Sequence, residues 1–243
     1  MSLTAEKTWV DYRISVTPPN DQNLVDNDHL FTVLVERDAG DGFVPFEGAM
    51  PTIDLAGVGS IADETCSDGT IADGTCTIIG ISEVPGDMAV TATLVAQEAG
   101  PAMLTISDTG DKLWVDYRIS LTPKQAINKV NEPHVFVAKL EVDRGDGFRI
   151  TKNETLDIGA TGIGAIINID AAGEAANTCV TDAVGTCRIT VNSAEPGTLF
   201  LSAKYNATVG DTTGSYSAGA TKGWIEIDLP ETGSESGSLV RIA

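Results

Sequence analysis

The chain has 243 residues, with 15 Lys plus Arg against 35 Asp plus Glu and a formal net charge of −20. Such a balance lacks the clustered cations that neutralise phosphates, so no nucleic-acid partner is expected. Hydrophobic residues make up 42% and aromatics 5%, which suits a Val/Ile/Ala/Thr-rich β protein with a core in each of two domains. The sequence shows no apolar run of about 18 residues and no basic leader followed by an apolar stretch, so no membrane insertion or export signal is expected in this segment.

The first element, KTWVDYRISVTP from Lys7, returns as KLWVDYRISLTP from Lys112, and a shortened KGWIEIDLP begins at Lys222. Trp9 to Trp114 is 114 − 9 = 105 residues and Trp114 to Trp224 is 224 − 114 = 110. That period matches a small domain rather than a solenoid rung. The division is domain 1 over 7–111, domain 2 over 112–229 and a flexible acidic tail over 230–243. Because the Lys-x-Trp element occurs three times for two domains, it marks seams, where the last strand of one domain runs into the first of the next. Its occurrence at Lys7 is then expected to be the tail of an upstream neighbour, and the chain an excerpt of a longer protein. Joined so tightly, the pair should behave as a semi-rigid rod.

Within the copies, an offset of 105 pairs Asn23 with Asn128, His29 with His134, Phe31 with Phe136 and Asp41 with Asp146. Segments 30–36 (LFTVLVE) and 135–142 (VFVAKLEV) read as strands, each ending in an Asp/Gly cluster suited to a hairpin turn. In the second copy that turn spells Arg144-Gly145-Asp146, opposite Ala39-Gly40-Asp41. A turn that requires Gly-Asp-Gly accounts for it, and integrin-type recognition is the alternative. Between Phe43 and Cys76 the copies differ in length, which suggests surface loops. The register resumes at an offset of 111, pairing Gly74 with Gly185, Cys76 with Cys187 and Pro85 with Pro196. Strands at 76–82 and 187–193 follow, then Pro-Gly turns and the alternating runs AVTATLV and LFLSAKY. A helical turn near 171–177 is the one rival to an all-β chain, whose many short strands imply antiparallel sandwiches.

The four cysteines fall two per copy, Cys66 with Cys76 and Cys179 with Cys187. Pairing within each copy leaves none over, and a ring of about ten residues stabilises by roughly 2–3 kcal/mol. It implies an oxidising, extracellular or periplasmic setting. The zinc alternative falls short, since two cysteines without a neighbouring His pair do not supply four ligands. His29 and His134 are the only histidines, one per domain at the start of a strand. No Ser/His/Asp or Cys/His triad can be assembled, so an enzyme is not expected. Asp38, Asp41, Asp143 and Asp146 lie on turns, and Asp63, Glu64, Asp68 and Asp73 surround the first disulfide loop. Such oxygens suit calcium, but the spacing is not that of an EF-hand and Asp-rich turns serve without metal, so no metal or cofactor is expected. The LPETG at 229–233 matches a sortase motif without the apolar segment and basic tail such a signal needs, and reads as part of an acidic linker.

Taken jointly, Asn23, His29, Phe31, Gly74, Thr75, Cys76, Ser82, Pro85 and Gly86, with Asn128, His134, Phe136, Gly185, Thr186, Cys187, Ser193, Pro196 and Gly197, resemble bacterial immunoglobulin-like domains of the invasin/intimin type. The resemblance covers almost the whole chain. It implies two tandem immunoglobulin-like β-sandwiches serving as a non-catalytic stalk or adhesion module at a bacterial cell surface, with neighbouring domains of the same parent chain as partners. The alternative is a carbohydrate- or protein-binding module using the stretch between Phe43 and Cys76, or an accessory domain of an extracellular hydrolase. Sugar platforms favour exposed Trp or Tyr, and all three tryptophans sit in the seam element.

Overall fold

The computed structural model describes residues 7–97, 103–170 and 177–226. The motif at 229–233, the tail at 230–243 and nearly all of the helical turn near 171–177 lie outside the described residues. The first half contains β1 (Asp11–Thr17), β2 (Asn20–Leu24), β3 (His29–Asp38), β4 (Val44–Pro45), β5 (Thr52–Gly57), β6 (Ser60–Glu64), a 3-10 turn (Cys66–Asp68), β7 (Thr75–Ile81), β8 (Gly86–Gln97) and β9 (Met103–Thr122). The second continues with β10 (Gln125–Lys129), β11 (His134–Asp143), β12 (Arg149–Ile150), β13 (Thr155–Gly162), β14 (Ala165–Ile169), β15 (Thr178–Val180), β16 (Thr186–Asn192), β17 (Gly197–Val209) and β18 (Thr212–Ile225). Among the described residues no helix is long and apolar enough to cross a membrane.

Each half is an immunoglobulin-like sandwich. In the first, the sheet β1-β3-β7-β6, with β4 beside β3, faces β2-β9-β8-β5; in the second, β9-β11-β16-β14, with β12 beside β11, faces β10-β18-β17-β13-β15. Neighbouring strands are antiparallel except β2 on β9 and β10 on β18, which run parallel. The alternation seen in sequence is the inward face of each strand, because successive side chains point to opposite sides. Thus Met88, Val90, Ala92 and Leu94 of β8 are buried, as are Leu199, Leu201, Ala203 and Tyr205 of β17. Each large apolar side chain so buried contributes about 1.5–3 kcal/mol before conformational entropy is set against it. One core gathers around Phe31, Val33, Ile78 and Trp114, the other around Phe136, Leu140, Ile189 and Leu201.

The stretch between Phe43 and Cys76, expected as surface loop, instead carries β4, β5 and β6. The 105-residue offset persists through it: a bulge between Ile61 and Asp63 recurs between Ile166 and Asn168 (166 − 61 = 105). The extra residues of the second copy therefore fall after β14, where β15 stands in place of the 3-10 turn. Sequence reading missed these strands because Gly, Asp and Ala fill their outward faces (TIDLAG, SIADE), which weakens the β signal.

β9 belongs to both sandwiches. It pairs with β8 from Met103 to Trp114 and with β11 from Asp116 to Thr122. Trp114 and Val115 are adjacent and fully buried, Trp114 in the first core and Val115 in the second. The two-residue period of a strand makes this possible, since neighbouring side chains leave on opposite faces.

Candidate functional site

The side chains with chemistry to offer converge where β2 lies along β9. Asp21 stands opposite Lys112 and Asn23 opposite Trp114 in the parallel register. Lys112 is 1% exposed. Its Nζ donates to Asp21 Oδ2 at 2.8 Å and to Asn23 Oδ1 at 2.7 Å. Asn23, also buried, donates through Nδ2 to the Asp28 carbonyl at 3.3 Å. His29, the first residue of β3, brings Nδ1 to 3.4 Å from Asp21 Oδ2, and its ring meets Phe31 edge-on. Its buried Nε2 has no hydrogen-bond partner among the described residues.

Taking an ammonium out of water costs several kcal/mol unless it is paired. Burial pulls the Lys112 pKa down, and the Asp21 hydrogen bond opposes that pull. On Asp21, burial acts upward but is outweighed by the Lys112 ammonium and the Gln22 N–H, which hold the carboxyl below its ordinary value. His29 is lowered by burial and then by the nearby Lys112 charge, so its neutral form is favoured. The result is a water-shielded amine held between one carboxylate and one carboxamide.

The second copy lacks this arrangement. Lys222 is fully buried, but Ala126 and Asn128 occupy the positions of Asp21 and Asn23 (126 − 21 = 105; 128 − 23 = 105). Its Nζ donates to the Gly223 carbonyl at 2.7 Å. Burial lowers the Lys222 pKa as well, with Glu132 the acidic group that opposes it.

The halves also meet through side chains and turns. The tip of the β17–β18 hairpin reaches β2, where Leu24 N donates to Thr212 Oγ1 at 2.9 Å. A side chain at Gly210 would strike the Gln22 carbonyl. Arg144 donates to Gln22 Oε1 at 3.1 Å, and a Cβ at Gly145 would lie 2.6 Å from Gly86 Cα. Arg144-Gly145-Asp146 is thus engaged although solvent reaches all three: Arg144 and Gly145 touch the first half, and Asp146 pairs with Arg149 at 2.7 Å. The sister turn differs, since Gly40 has open space around it. A cleft of 590 Å³ opens at the junction, lined by Asp21, Asp87, Asp111, Lys112 and Arg144 among others.

The remaining sequence candidates occupy separate places. Disulfides join Cys66 to Cys76 and Cys179 to Cys187. Asp38 Oδ1 accepts from the Gly40 and Gly42 N–H groups, and Asp143 Oδ1 from those of Gly145 and Gly147, so these carboxylates brace their turns. Among the described residues no group of three or more His, Cys, Asp or Glu is placed to hold a metal ion. Trp114 and Trp224 are buried, whereas Trp9 is 77% exposed with Lys7 over its ring.

No family model matches the sequence, and no curated protein matches it. Solved structures similar to the chain include the D00-D0 domains of intimin, at 14% identity and a TM-score of 0.45, covering 88% of this chain and all (100%) of that one. The D0-D1 domains of intimin align at 16% identity and a TM-score of 0.31, covering 86% and 97% respectively. InvD from Yersinia pseudotuberculosis aligns at 14% identity and a TM-score of 0.31, covering 90% of this chain and 60% of that one.

Proposed function

We propose that the chain is a non-catalytic tandem immunoglobulin-like segment of a bacterial cell-surface or secreted protein, acting as a stiff spacer within a stalk or adhesion module. The observation that carries this reading is β9, a single strand hydrogen-bonded into both sandwiches, with Trp114 and Val115 anchored in opposite cores. A hinge between the halves would require breaking strand pairing and exposing buried apolar surface, whereas flexible linkers cost nothing to bend. The two disulfides support an oxidising location. The Lys112 amine is closed to an external substrate by its burial. Residual dipolar couplings on the intact chain test the proposal: a spacer of this kind gives one alignment tensor for both halves. Two independent tensors would overturn it, and a glycan or host-protein array that lights up with this chain would replace it with a binding module.

A further inference from the structure

Lys112, Asn23 and Asp21 make a set that a salt bridge alone does not require. A buried ammonium is satisfied by one well-placed carboxylate with backbone oxygens, yet here the amine also lies against a carboxamide that is itself buried. Nζ is 2.7 Å from Asn23 Oδ1; with a carbonyl bond of about 1.2 Å, the amide carbon Cγ is no more than about 4 Å from Nζ. Reacting atoms held near contact distance, with water shut out, gain the rate advantage of an intramolecular reaction. Among the described residues the amine donates to Asp21 Oδ2 and Asn23 Oδ1, and the Trp114 ring centroid lies 5.7 Å from it.

We propose that Lys112 and Asn23 react with each other during maturation of the fold, forming a side-chain amide cross-link between β9 and β2 with Asp21 as the proton carrier. Asp21 first takes a proton from the ammonium, leaving a neutral amine beside a carboxylic acid. The Nζ lone pair attacks Asn23 Cγ while the Asp21 acid protonates Oδ1. Asp21 then removes a proton from the attached nitrogen and delivers one to Nδ2. The Cγ–Nδ2 bond breaks, ammonia departs and takes up the remaining proton, and an Nζ–Cγ amide remains. Nothing is oxidised or reduced and no co-reactant is needed. Burial of the amine pulls the Lys112 pKa down and so favours the first transfer, while the ammonium holds the Asp21 carboxyl below its ordinary value, so the neutral pair is a minor species that the departure of ammonia draws forward. His29 and Asp211 are the other titratable groups that act on this amine.

The second copy serves as an internal control. Lys222 is equally buried and Asn128 stands in the position of Asn23, but Ala126 replaces the carboxylate and Lys222 is turned to the Gly223 carbonyl. Without a proton carrier the amine stays unreacted, so the chain should lose one ammonia rather than two. The cross-link would tie β9, the strand that continues into the second sandwich, to β2, which pairs with it in parallel in the first.

Intact-mass spectrometry of the purified chain, before and after reduction, reads the outcome directly. The expected mass is that of the sequence less one ammonia, beyond the hydrogens lost to two disulfides. Peptide mapping should find Asn23 and Lys112 in one branched peptide, with no tryptic cleavage after Lys112. Asp21→Asn and Lys112→Met should restore the full mass, while Lys222→Met should leave the loss in place. A wild-type chain with no ammonia missing overturns the proposal, whether or not the variants fold. So does a loss that maps to a linear peptide, which would mean a succinimide instead, and a loss of two would overturn the role given to Asp21.

Discussion

Leu24 lies on β2 of the first sandwich, yet its side chain is 2% exposed and packed within the core cluster of the second. Its Cδ1 fills the space beside Gly214, where an added Cβ would come within 2.8 Å. Truncating Leu24 to Ala should therefore destabilise the half of the molecule to which it does not belong in sequence. At about 0.8 kcal/mol for each methylene-sized group buried, the transfer loss is about 2–2.5 kcal/mol. Incomplete collapse around the site raises the expected cost to about 3 kcal/mol. Hydrogen exchange of the intact chain, read by mass spectrometry, localises the effect. Where exchange proceeds through unfolding of the second sandwich, peptides from β17 and β18 should exchange about two orders of magnitude faster, at about 1.4 kcal/mol per decade. Peptides from β3 and β7 should change far less. The reasoning is refuted if β17 and β18 keep their protection while the first half loses its own, since Leu24 would then be part of the first core alone.

Replacing Gly210 by Ala would drive a methyl into the Gln22 carbonyl, so it should loosen the alignment of the halves in scattering or dipolar-coupling measurements while leaving each core intact; an unchanged alignment would show that the hairpin tip does not brace the junction. The Glu141 carboxylate is held below its ordinary 4.5 by the Arg118 hydrogen bond, with Lys139 adding to it. The unfolded chain thus binds the proton more readily, and stability from this group is full above about pH 4.5 and falls as pH drops through the folded pKa. Glu141→Gln should flatten that acid limb in urea titrations and cost about 1 kcal/mol at neutral pH, since both cationic partners are substantially solvated; an equally steep acid limb in the variant would count against it. Removing the Cys66–Cys76 bridge by paired Ala substitution opens a ring with a sequence separation of 10, and the midpoint of denaturant unfolding should shift by the equivalent of about 2–3 kcal/mol. An unshifted midpoint would mean that the unfolded loop is already restricted.

Periodicity carried the sandwich class, because apolar residues at every second position of β3, β8, β11 and β17 leave a signal that survives without any partner strand. The Lys-x-Trp element recurs at domain-length intervals, and β9 runs unbroken through its second occurrence. What the sequence concealed were β2 and β10. NDQNL and QAINK have few of the β-branched and aromatic residues that mark a strand, and each is held by parallel pairing to a strand roughly ninety residues away. On β2 that polar composition has a local cause, because Asp21 and Asn23 meet the amine of Lys112, a buried charge on β9 two residues before Trp114. The available clue was the inverse of a motif: a lysine at the seam that periodicity places inside, and an asparagine that recurs at the same offset. Comparing the copies then separates two requirements. Lys222 shows that the fold tolerates a buried lysine satisfied by a backbone carbonyl, so packing alone does not explain why the first copy surrounds its lysine with Asp21, Asn23 and His29. The difference between the copies lies in side-chain chemistry rather than in backbone path, and it is there that a role beyond mechanical support has to be sought.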